Sequence, residues 1–98
     1  MRMGIRAKID AWLEERYSDQ EFLICDGLET AFCGVVERFG QEPITCFDMD
    51  KIMKIYRLEG MSTEEAIEWF DFNVIGAWVG KATPCFLTPY STRQGKHL

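Results

Sequence analysis

Histidine is almost missing from this chain of 98 residues: the single one is His97. A Cys–His or Ser–His–Asp engine built on it would need the polar end of the chain ordered against the domain. The eight glycines occur singly, so no loop of the phosphate-cradling kind is present. The four cysteines, Cys25, Cys33, Cys46 and Cys85, include no C-x-x-C pair, which leaves the usual zinc spacing unfilled. No apolar run is long enough to span a bilayer. No secretory signal opens the chain, since the amphipathic N-terminal stretch carries Asp10, Glu14 and Glu15. The expectation is a cytoplasmic protein with no cofactor, no metal and no membrane association. Its cysteines, each among apolar neighbours, are expected as buried free thiols.

Positive charge is also scarce. Eleven Lys and Arg face sixteen Asp and Glu, for a net charge of −5 and an isoelectric point near 4.8. The acidic excess sits in residues 21–50 and 61–80. That balance argues against direct nucleic-acid binding, which wants a basic face. It permits a basic partner, including by mimicry of nucleic acid, with Asp26, Glu29, Glu37 and Glu42 presenting the charge. A merely solvated surface is the plainer account of the same residues.

Apolar and aromatic residues are plentiful instead. At 47% hydrophobic and 13% aromatic, the chain can build a core for one domain over residues 1–98. The aromatic excess also points to apolar surface buried between subunits.

The longest apolar stretch runs from Gly60 to Gly80. Ser62 followed by Glu65 is a capping box, in which each side chain bonds the other residue's backbone N–H, so a helix begins at Thr63. Glu64, Glu65 and Glu68 suit its positive end. Gly80 is the expected left-handed stop, with Pro84 beyond it. Ala66, Ile67, Phe70 and Val74 share one face of the first half. The second half, Phe72 to Val79, is apolar nearly all round and is expected to be buried, in the core or in an interface. Within it, Gly76 and Ala77 suit close backbone packing. Asn73 is the one strongly polar side chain and needs a hydrogen-bond partner if enclosed.

Elsewhere the periodicity predicts a helix over 3–17, with Ile5, Ile9, Trp12 and Leu13 as its apolar stripe. Phe22 to Cys25 reads as a strand or an extended entry segment, and Asp26-Gly27 as a turn. Residues 28–39 fit either helix or strand, and Gly34-Val35-Val36 tips them toward strand. A hairpin of 31–38 with 43–48 is the expected result. Asp48 is the expected cap of a helix over 49–59, with Met49, Ile52, Met53 and Tyr56 inward. Its Lys51, Lys54 and Arg57 are expected to offset the acids of the next helix after a tight turn at Gly60. Residues 82–87, broken by Pro84, suit an edge strand, and the polar tail 88–98 is expected to be mobile. The carboxylate pairs Asp26/Glu29 and Asp48/Asp50 suit turns and caps, and no catalytic residue is assigned.

Three phrases, DGLETAFCGVVERFG, ITCFDMDKI and EGMSTEEAIEWFDFNVIGAWVGKATPCF, resemble a group of small uncharacterised proteins of tailed phages and bacteria. The matching pairs are Asp26-Gly27, Gly34-Val35, Phe47-Asp48, Phe72-Asn73 and Gly76-Ala77, within residues 25–86. The resemblance implies a phage or prophage setting and a host cytoplasm. It implies no activity and transfers no catalytic residue.

The expected fold is α+β, with an N-terminal amphipathic helix, a small antiparallel sheet made of a hairpin and a C-terminal edge strand, and a helical hairpin whose last helix is buried. The leading functional expectation is a non-enzymatic accessory protein that binds protein, self-association included, with Trp69, Phe72 and Trp78 as interface anchors. The alternatives are an acidic inhibitor of a host nucleic-acid-binding or defence protein, and a small enzyme or metal protein using Cys25, Cys33 or Cys46 with Asp26.

Overall fold

Local signals place most elements of the fold in this computed structural model, which describes residues 4–75 and 80–91. Helix α1 spans Ile5–Arg16 and turns Ile9 and Leu13 inward. Trp12 stacks edge-on against Phe32, so the helix is held by tertiary contact despite charges that oppose its dipole. Residues 20–25 then run extended, without a strand partner, into the turn at Asp26-Gly27. Residues 28–39 divide between both readings: a 3-10 turn at Glu29–Ala31 leads into strand β1, Phe32–Val36.

Strand β1 pairs antiparallel with β2, Ile44–Asp48, in the expected hairpin. The register slips between Phe32, opposite Phe47, and Gly34, opposite Cys46. Cys33 is therefore the extra residue of a β-bulge, and Gly34 follows it at φ +143, a backbone region that favours glycine. Strand β3, Cys85–Leu87, lies on the other side of β2. It pairs in parallel, Cys46 with Cys85 and Phe47 with Phe86. The sheet is thus mixed, where an antiparallel one was expected. A chain that crosses two helices before returning can enter the sheet in either direction, and the strand pattern alone does not choose.

Helix α2 spans Met49–Leu58, and the Asp48 carboxylate accepts from the Lys51 backbone N–H at 3.1 Å. After Gly60 at φ +103, helix α3 spans Thr63–Phe70 with both bonds of the Ser62–Glu65 box formed. The core joins Leu28, Ala31, Phe47, Ile52, Tyr56, Ala66 and Phe70 beneath one face of the sheet. The rings of Phe32, Phe47, Phe86 and Phe70 form a continuous series through it.

Three expectations need correction. The burial expected of the last helix from Phe72 onward, in the core or in an interface, is not met within this chain at Phe72 and Ile75. Ala66 and Phe70 are buried, whereas Phe72 is 88% and Ile75 59% exposed, and the backbone changes from α to a π turn over Asp71–Ile75. Phe72 lies two residues past Phe70 and so faces away from the stripe of Ala66 and Phe70, which Val74 continues against the core. The basic stripe of α2 makes no ion pair with Glu64, Glu65 or Glu68 among the described residues; Arg57 donates to the Thr63 hydroxyl at 2.9 Å. Only Cys46 of the four cysteines is buried; Cys33 is exposed, and Cys25 and Cys85 are half-buried. Gly80, the expected stop, has φ +98. Gly76, Ala77, Trp78 and His97 lie outside the described residues.

Candidate functional site: an apolar cleft beside the last helix

The extended segment before Asp26 leaves room between itself and the end of α3. The result is a cleft of about 670 Å³. One wall is the run from Leu23 to Leu28. A second wall is Trp69 with Asn73, Val74 and Ile75 of the π turn, and Tyr56, Glu59, Thr83, Pro84 and Phe86 complete the lining. A buried bond fixes the first wall: the Thr45 hydroxyl on β2 donates to the Leu23 carbonyl at 2.6 Å. Thr45 is fully buried, so its side chain reaches out from the sheet to hold a loop. The second wall is held locally by the Asn73 side-chain amide, which donates to the Trp69 carbonyl at 3.2 Å. Asn73 is exposed and satisfied within its own helix.

The polar groups of the cleft are kept neutral or are carboxylates. Burial, then Asp26 and Glu29, push the Cys25 thiol up from its usual range. Burial, then Glu59 and Cys25, do the same to the Tyr56 hydroxyl. A cysteine nucleophile needs the opposite shift, toward thiolate. Tyr56 is only 5% exposed yet lines the cleft. Asp26 and Glu59 supply negative charge, and no Lys, Arg or His lines the cleft among the described residues.

The cleft opens beside a larger apolar surface. Trp69, Phe72 and Ile75 follow at intervals of three residues through the end of α3 and the π turn, and they are 49%, 88% and 59% exposed. Two of the three expected anchors, Trp69 and Phe72, thus share one exposed surface, and Trp78 lies outside the described residues. The candidate acidic residues do not form one group. Arg6 contacts Asp26 at 3.2 Å and Glu29 at 3.8 Å, while Glu37 accepts from the Tyr17 hydroxyl at 2.7 Å. Glu42 is exposed on the hairpin turn side.

The structure separates the cysteines named in the enzyme or metal reading. Cys25 lines the cleft. Cys33 and Cys46 meet at the sheet, where the Cys33 thiol donates to the Cys46 carbonyl at 3.3 Å. Among the described residues, no group of three His, Cys, Asp or Glu is disposed to hold a metal ion, and no helix is long and apolar enough to cross a membrane. Residue reading missed the cleft itself, because its walls come from segments more than forty residues apart and carry no motif. Comparison with protein-family models, curated proteins and solved structures found no match.

Proposed function

We propose that this chain is a small non-enzymatic binding protein whose partner is another protein, seated on Trp69, Phe72 and Ile75 with a side chain entering the adjoining cleft. The observation that carries this reading is the exposure of three large apolar side chains at helical spacing beside an apolar cleft. Solvated surfaces seldom gather such groups without a partner. Aromatic anchors next to a concavity are the usual centre of a binding patch. Charge narrows the partner's chemistry. Glu68 stands one turn before Phe72, Asp71 one turn before Ile75, and Asp26 and Glu59 edge the cleft. A partner segment with apolar anchors flanked by Lys or Arg fits this surface.

The resemblance of residues 25–86 to small phage and bacterial proteins supports a bacterial cytoplasm as the setting, in a phage or prophage accessory role. The acidic-inhibitor reading has weaker support, because Arg6 engages two of its four carboxylates. The cysteine-enzyme reading has weaker support, because Cys25 lies in the cleft, apart from Cys33 and Cys46 at the sheet.

Affinity capture from a bacterial lysate, run in parallel with the wild-type chain and a Trp69→Ala/Phe72→Ser variant, tests the proposal. A protein retained by the wild type, lost by the variant and weakened by salt is the expected result. Equal capture by both chains overturns the proposed surface. Sedimentation of the purified chain covers the remaining case: a dimer broken by the same variant identifies the partner as a second copy.

A further inference from the structure

Three of the four cysteines come from three different strands and meet at β2. Cys46 and Cys85 are register partners on neighbouring parallel strands, a placement that sets Cα atoms about 4.8 Å apart with side chains on one face. A disulfide accepts Cα separations of about 4.4–6.8 Å. On the other side of β2 the bulge leaves Cys33 as well as Gly34 opposite Cys46. Gly34 has no side chain, and nothing stands within 4 Å of where its Cβ would be. The Cys33 thiol donates to the Cys46 carbonyl at 3.3 Å. Cys33 and Cys85 thus flank Cys46 from its two neighbouring strands. Exposure is graded across the group: Cys33 is exposed, Cys85 half-buried and Cys46 buried.

We propose that Cys33, Cys46 and Cys85 form a thiol oxidation site, in which the Cys33 sulfur attacks a hydroperoxide, breaking its O–O bond, and Cys46 resolves the product as a disulfide. The Cys33 sulfur takes one oxygen from the peroxide, which leaves as the alcohol or as water, and the thiol becomes a sulfenic acid. The Cys46 sulfur then bonds to the Cys33 sulfur, a step that needs the tightly held Cys46 proton to leave and so quickens as pH rises. The sulfenic hydroxyl leaves with the Cys46 proton as water, so two thiols are oxidised by two electrons in all. Cys85, beside Cys46, can take over that bond by exchange, its sulfur attacking Cys46 and releasing Cys33 as a thiol. The site is separate from the cleft, and Cys25 has no part in it. The pairing of β1 with β2 keeps the two first partners together before oxidation.

Treatment of the purified, reduced chain with one equivalent of hydrogen peroxide tests this, read by thiol titration and by peptide mapping without reductant. The expected result is loss of two of the four free thiols, with a linked peptide pair joining Cys46 to Cys33 or to Cys85, and recovery of both thiols by a dithiol reductant. Cys33→Ser should abolish either linkage, and Cys25→Ser should leave it intact. Cys33 is exposed, so its serine variant keeps the fold. Oxidation that stops at Cys33 as sulfinic acid, a linkage involving Cys25, a bond only between two chains, or a Cys46–Cys85 bond that persists in Cys33→Ser overturns the proposal.

Discussion

The Thr45 hydroxyl donates to the Leu23 carbonyl at 2.6 Å, and this one bond fastens a wall of the cleft to the central strand of the sheet. Thr45 is fully buried, and the bond it makes is partly buried. Burial makes the bond more consequential than its net strength suggests, since breaking it leaves a desolvated group unpaired.

Replacement of Thr45 by Val keeps the shape and removes the donor. Urea unfolding should show a loss of about 1–3 kcal/mol, the cost of an unmatched partly buried carbonyl. Thr45→Ser restores the donor and should recover part of that loss. Hydrogen exchange around residues 22–26 should quicken in Thr45→Val more than in Thr45→Ser.

The cap of α3 is a second local device with a measurable effect. Ser62 and Glu65 each satisfy the other's backbone N–H, at 3.1 and 2.8 Å. Ser62→Ala should lower stability by about 1 kcal/mol in chemical denaturation. Ser62→Asp keeps an acceptor at the positive end of the helix and should stay close to the wild type.

Ile52 and Phe72 separate folding from binding. Ile52 is fully buried in the core, and Ile52→Ala should cost about 2–5 kcal/mol through lost burial and the remaining cavity. Phe72 is 88% exposed, and Phe72→Ser should change stability by no more than about 0.5 kcal/mol. A large stability loss in Phe72→Ser would show that its ring packs within the chain and would count against its role as an anchor.

Alkaline pH should destabilise the fold through Cys46. Burial, followed by hydrogen bonds with Cys85 and Cys33, pushes its thiol up from 9.0 to about 12. The folded chain therefore holds this proton more tightly than the unfolded chain. The stabilisation is complete below about pH 9 and is lost as pH rises toward about 12, where the unfolded state binds fewer protons. Equilibrium unfolding under reducing conditions across that window should show stability falling with pH. Cys46→Ala, though less stable at neutral pH, should flatten the slope.

Much of the fold was readable because its signals are short in range. The Ser62–Glu65 box marks the start of α3 to the residue. Asp48 caps α2 where expected, and the hairpin falls within its expected bounds. Each rests on bonds between residues three or four apart, or across one tight connection, so neighbouring side chains alone specify it. The double character of 28–39 had a similar origin: a 3-10 turn and a strand adjoin there, and both patterns were present in the residues.

The features decided by tertiary structure depend on residues far apart in the chain. The parallel entry of β3 beside β2 brings Cys85 to Cys46, and no spacing in the sequence encodes that meeting. The cleft forms where residues 23–28 face residues 69–75, two segments whose separation is set by how α2 and α3 stack under the sheet. The apolar run after Phe70 illustrates the division most clearly. Its composition determined that Phe72 and Ile75 would seek burial. Only the packing of the chain left them facing outward. Ala66 and Phe70, with Val74 after them, face the core, and Phe72 and Ile75 fall on the other side of the helix.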